Sequence, residues 1–100
     1  MTMLMIIARD SMVSELEKLM DEIGVKGYST INNVGGKGKL GTVYESLLHS
    51  GAPGFNIVML AVVPPDHVDK AVSGIKAFHA ALGKEPLPFK LFSFPCEELI

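Results

Sequence analysis

Gly36-Lys37-Gly38-Lys39-Leu40-Gly41 is the stretch of this 100-residue chain whose residue types and spacing could do chemistry. Glycines let neighbouring backbone amides turn toward an anion, and Lys37 and Lys39 add positive charge to the same turn. The letters match G-x-G-x-x-G, but a dinucleotide fingerprint also opens a substantial helix in a βαβ unit and is followed by an acid about 20 residues on. Residues 56–63 offer no acid, and Asp66 comes only after the next apolar run. A Walker loop fails too, because Thr42 stands where lysine is required. What survives is a glycine and lysine turn suited to a phosphate-like anion, set against the plainer reading of a flexible solvated turn.

The other polar residues carry less. His49, His67 and His79 offer imidazoles, which are common metal ligands. His79 lies one helical turn from Ile75 and reads as a half-buried or subunit-contact histidine, while His67, in the first turn of its helix, reads as solvated. His49, with Glu45 one turn before it, is the metal candidate of the three. Glu97 and Glu98 beside Cys96 would raise its thiol pKa, which suits an ordinary tail residue better than a nucleophile. No nucleophile and base pair can be assembled, so no enzymatic activity is expected.

Composition bounds the class. A chain of this length suits one domain, and an apolar fraction of 48 % is enough for a globular core. A net charge of −2 gives no general attraction to nucleic acid or to an anionic membrane. One cysteine forms no intrachain disulfide, residues 1–8 lack a basic leader, and no apolar run approaches a membrane span. A soluble protein in the reducing cytoplasm is expected.

The elements that must position these residues are organised around residues 55–63, Phe-Asn-Ile-Val-Met-Leu-Ala-Val-Val, bounded by Pro53-Gly54 and Pro64-Pro65. This stretch reads as a strand with Ile57, Met59, Ala61 and Val63 on one face and Val58, Leu60 and Val62 on the other. Both faces are apolar, so both need cover. Residues 3–8 read the same way. Asp10 or Ser11 is expected to cap a helix with the stripe Val13, Leu16, Met20 and Ile23, stopped by Gly24. Residues 28–34 are half polar and suit an edge strand. Residues 35–54 hold six of the ten glycines and only a short helical patch at 42–49, and so long a connection is usually functional. Pro64-Pro65-Asp66 opens a second helix with the stripe Val68, Val72, Ile75, Phe78 and Leu82, closed by Gly83. Residues 89–94 make a last strand.

The order is βαββαβ, which predicts an α+β, ferredoxin-like fold: a four-stranded antiparallel sheet with two helices on one face. The first and third strands then lie in the middle, and they are the two that are apolar on both sides. Two helices cover one face; the other is expected to meet another copy of the protein. The base-stacking aromatics of RNA-recognition sheets and the Cys-x-x-Cys of metallochaperones are missing.

Four stretches, in this order, resemble the PII signal-transduction proteins and their shorter PII-like relatives. Gly24-Val-Lys-Gly27-Tyr-Ser29 is similar to the family's Gly-Ile-x-Gly-Met-Thr, and Val34-Gly-Gly36-Lys-Gly38-Lys39 to its Val-x-Gly-Phe-Gly-Arg. Ala52-Pro-Gly-Phe-Asn56 and Phe94-Pro-Cys-Glu-Glu-Leu-Ile100 look like the short PII-like branch. The resemblance implies one PII-like domain over 1–100 that forms a homotrimer with its sheets facing inward. It further implies adenine-nucleotide sites (ATP, ADP or AMP) in clefts between subunits, and a loop at 35–54 that reorders and engages a target such as a transporter or a metabolic enzyme. Carried over by position, Gly36 and Gly38 present amides to phosphate, with Lys37 beside them, and Lys39 stands in for the family's arginine. Ser29 offers a hydroxyl near the base, and Lys84 and Lys90 belong to the second phosphate loop.

The chain departs from the family in three places. Leu82-Gly-Lys-Glu-Pro-Leu-Pro-Phe-Lys90 replaces a glycine-rich loop, and its two prolines have no amide to donate. The arginine pair of the family's C-terminal loop has no counterpart up to Ile100. Leu40 stands where the family has the glutamine of its magnesium and 2-oxoglutarate chemistry. The alternative implied by these departures is a PII-like protein responsive to metal or bicarbonate, without a standard nucleotide site.

Overall fold

The computed structural model describes residues 1–35, 56–83 and 89–100. Strand β1 (Thr2–Arg9) leads through a 3-10 turn (Asp10–Met12) into helix α1 (Val13–Glu22). Strands β2 (Ser29–Val34) and β3 (Asn56–Val63) follow, then helix α2 (Val68–Ala81) and strand β4 (Phe89–Pro95). The sheet runs β2-β3-β1-β4 with every pair antiparallel. The two strands expected at the centre are at the centre, and the half-polar strand is at an edge. The short helical patch expected at 42–49 lies outside the described residues.

The core fills one side of this sheet. Leu4, Ile6 and Ala8 of β1, Ile57, Met59, Ala61 and Val63 of β3 and Phe89 of β4 are all buried, and Leu16, Leu19, Met20, Ala71 and Ile75 of the helices close over them. Phe78 lies 6.2 Å from Phe89, ring centroid to centroid, and His79 meets Phe89 edge-on at 4.8 Å. No helix among the described residues is long and apolar enough to cross a membrane.

Some local expectations shift. Helical winding begins at Asp10 inside the 3-10 turn, so the position before α1 falls to Met12, which makes no side-chain cap. At the other end Gly24 takes φ +84°, the Val25 N–H donates to the Met20 carbonyl at 2.9 Å and the Gly24 N–H to that of Asp21 at 3.3 Å. These bonds satisfy carbonyls that the helix end leaves open. Leu82, assigned to the apolar stripe of α2, lies beyond its last turn and is exposed.

His67 is a clearer correction. It is partly buried, and its Nε2 is enclosed with no hydrogen-bond partner among the described residues, resting where a side chain on Gly24 would begin. A Cβ at Gly24 would sit 3.1 Å from that nitrogen. Gly24→Ala therefore meets a left-handed backbone and a crowded neighbour together. It should destabilise the protein by about 1–2 kcal/mol, measured as a lower denaturation midpoint with an unchanged slope. Gly74 is a second close approach: a Cβ there would lie 2.7 Å from Cγ2 of Ile23, so α2 rests directly on the end of α1.

A bulge marks the edge strand. Ile31 pairs with Val58 but Val34 pairs with Asn56, leaving two residues of β2 opposite one of β3. Asn33 takes φ +58° there, a conformation asparagine tolerates better than most residues.

Candidate functional site

The second side of the sheet is also apolar. Met5 pairs with Leu60 and Phe92, Ile7 with Val58, and Met3 with Val62 and Phe94. These residues alternate with the core residues and so point away from the helices. Val62, Phe92 and Phe94 are 45 %, 45 % and 43 % exposed, and Ile31 is 50 % exposed. This is a contiguous oily wall, which a single copy leaves facing water.

Two of the expected site residues stand on this wall, and they stand at opposite edges. Ser29 pairs with Leu60 on edge strand β2, whereas Lys90 pairs with Ile7 on edge strand β4. Three strand spacings separate them, about 14 Å, with β3 and β1 between. Within one chain these two side chains cannot touch the same phosphate or the same base.

Each edge has its own cavity. Met3, Gly27, Tyr28, Ser29, Leu60 and Val62 line one of about 540 Å³ at the β2 edge. Burial first, and the negative charges of Asp21 and Glu17 second, hold the Tyr28 phenol above its usual range. A smaller space of about 290 Å³ adjoins it, sharing Gly27 and Val62 and reaching His67. At the β4 edge a cleft of about 390 Å³ lies between Ile75, Lys76 and His79 of α2 and the strand residues 89–92. The β2 edge offers the hydroxyls of Tyr28 and Ser29, with Lys26 lining the adjoining space, whereas the β4 edge carries Lys76 and Lys90.

The end of the sheet at which β1 ends and β3 begins holds two buried polar residues. Arg9 and Asn56 pair with each other, each is 6 % exposed, and Asn56 Oδ1 has no hydrogen-bond partner among the described residues. Asn56 pairs on its other side with Val34, and Ala8, beside Arg9, pairs with Phe89. An arginine that merely ends an apolar run looks like a solvated terminator in sequence. Only the register shows it enclosed.

Gly36, Lys37, Gly38, Lys39 and Lys84 lie outside the described residues, as does His49. Among the described residues no three His, Cys, Asp or Glu side chains gather as a metal would need. His79 is half-buried against Phe89, in keeping with its expected place on the helix stripe.

Comparison with known proteins bears on this arrangement. The family profile of nitrogen regulatory protein P-II matches residues 1–100. Among solved structures, the chain is similar to CPII of Thiomonas intermedia K12 bound to ADP and bicarbonate, with 29 % identity and a TM-score of 0.66 over 93 % of this chain and 82 % of that one. CPII bound to ADP, AMP and acetate is similar at 26 % identity and a TM-score of 0.63, over 92 % and 81 % of the two chains. A PII-like signalling protein of Thermus thermophilus shares the fold at 14 % identity and a TM-score of 0.64, over 93 % and 82 %. No curated protein matches the chain. With the profile spanning every residue and an antiparallel sheet in the order β2-β3-β1-β4, the chain belongs to the nitrogen regulatory protein P-II family.

Proposed function

We propose that this protein is a homotrimeric regulator that binds an adenine nucleotide in clefts between its copies and signals through loop 35–54 to a target protein. The observation that carries this reading is the placement of Ser29 and Lys90 at opposite edges of one uncovered apolar face. Packing such faces inward buries the wall and brings the β2 edge of one copy beside the β4 edge of the next. The hydroxyl-bearing cavity then receives the base, and the lysine-bearing edge faces the phosphates. CPII, which binds ADP in three of its states, supports the ligand class.

Charge supports the same division of labour. Lys90 is exposed on the open face at the β4 edge, Lys76 lines the cleft from α2, and Lys39 and Lys84 belong to the two glycine-bearing segments that complete the family's site. Because Pro86 and Pro88 reduce the amides of the second segment, lysine side chains must supply more of the phosphate binding here than in a glycine-rich loop.

A second reading, favoured by Arg9, adds a small carboxylate-like anion such as bicarbonate. A guanidinium stays charged at all ordinary pH, and this one is held 6 % exposed at the end of the sheet where loop 35–54 begins and ends. CPII is bound to ADP and bicarbonate together.

Calorimetry with ATP, ADP and AMP, with and without bicarbonate, tests both. Saturable binding of at least one nucleotide is expected. Ser29→Ala should weaken it about two- to tenfold, the worth of one neutral hydrogen bond. Nucleotide affinity unmoved by both Ser29→Ala and Lys90→Ala would remove this site.

A further inference from the structure

We infer that His67 is a positioning residue that sets the adenine-over-guanine preference of the base cavity, acting as a strut that holds segment 24–27 at a fixed distance from β3. The preference rests on the function proposed above; the strut does not. The β2–β3 ladder begins only where Ser29 pairs with Leu60, so residues 25–28 lie outside it and take their place from other contacts. One end of the segment is fixed by the cap of α1, through the Val25 N–H on the Met20 carbonyl at 2.9 Å.

His67 supplies the other support. Its N–H donates to the Pro64 carbonyl at 3.0 Å and its carbonyl accepts from the Ala71 N–H at 3.0 Å, which fixes its backbone in the turn between β3 and α2. From there the ring reaches Gly24, where a Cβ would stand 3.1 Å from Nε2 and 3.7 Å from Cε1. Nε2 has no hydrogen-bond partner among the described residues, so the ring tip is held by contact alone. The space of about 290 Å³ beside the ring has residues 24–27 for one wall and 62–64 for the other. A side chain anchored beside one wall and seated on the other sets the gap between them.

That gap continues into the base cavity. Gly27 and Val62 line both this space and the cavity of about 540 Å³. They lie two residues beyond the paired Ser29 and Leu60, whereas the glycine and lysine turn follows the other end of β2. A nucleotide with its phosphates at that turn therefore presents its base to Gly27 and Val62. Guanine carries a 2-amino group that adenine lacks, so a gap held to fit adenine rejects guanine by size. A segment released from its strut admits both.

Calorimetry with ADP and GDP reads the preference. His67→Ala should lower the ratio of ADP to GDP affinity about tenfold, whereas His67→Gln, which keeps the reach of the side chain, should retain it. A ratio unmoved by His67→Ala, with both nucleotides weakened alike or not at all, overturns the inference, as does an equal fall in both variants. Denaturation tests the strut without nucleotide: Gly24→Ala should lower the midpoint less in the His67→Ala background than in wild type, because the crowded neighbour is gone. An equal drop in the two backgrounds overturns the strut. Wild-type protein that binds neither nucleotide counts against the proposed function and takes the preference with it, while the denaturation series still decides the strut.

Discussion

Leu60→Glu should break the assembled protein into folded single chains. Wild-type protein is expected to sediment at three times the 10.8 kDa mass of the chain, and the variant at that mass. The reasoning is local. Leu60 sits at the centre of the open wall, between Met5 of β1 and Ser29 of β2, and takes no part in the core beneath the helices. A carboxylate there costs a single copy little, since water can reach it. In an assembly it is buried without a partner, at several kcal/mol per copy. Far-ultraviolet circular dichroism of the variant should stay near that of wild type, which separates lost assembly from lost fold. Leu60→Ala, which keeps the wall apolar, should still assemble.

Lys90→Ala has the largest expected effect on ligand. A charge-assisted hydrogen bond is worth about 1.5–3 kcal/mol, so ADP affinity should fall about ten- to a hundredfold. The variant should leave stability unchanged, because Lys90 is exposed and outside the core. Lys90→Arg should retain much of the affinity, since it keeps the charge at the β4 edge. Equal losses for alanine and arginine would mean that lysine acts there through shape, not charge.

The architecture was legible where the residue pattern was strong. Strands β1 and β3 announce themselves by apolar residues on both faces, and that feature also demanded their central position. Gly24 and Gly83, both at positive φ, mark the ends of both helices as expected. What stayed hidden depends on distant partners. Leu19 and Ala71 are buried because of where the sheet meets each helix, and the stripes read from spacing alone omitted both. The bulge at Asn32 and Asn33 is a property of pairing with β3, not of either residue. His67 looked like a solvated first-turn residue because nothing in its neighbourhood of sequence shows that Gly24 comes to lie against it.

The candidate site divides in the same way. Ser29 and Lys90 were found by resemblance, but their separation across the sheet is a matter of register and could not be read from their positions in the chain. Arg9 and Asn56 were passed over because an arginine closing a strand is ordinarily exposed. The glycine and lysine turn at 36–39 and Lys84 lie outside the described residues, so their part rests on the family resemblance and on the anion chemistry of their residue types.

Subunit mixing tests the shared cleft most directly. Ser29→Ala with Tyr28→Ala on one chain and Lys90→Ala on another each weaken every cleft of their own assemblies. Co-refolded in equal amounts, the two should regenerate wild-type affinity in about a quarter of the clefts, those that draw an intact β2 edge from one copy and an intact β4 edge from the other. Recovery of tight ADP sites in that proportion is the predicted result. No recovery on mixing, although each variant alone binds weakly, would place Ser29 and Lys90 in one chain's site and contradict the account.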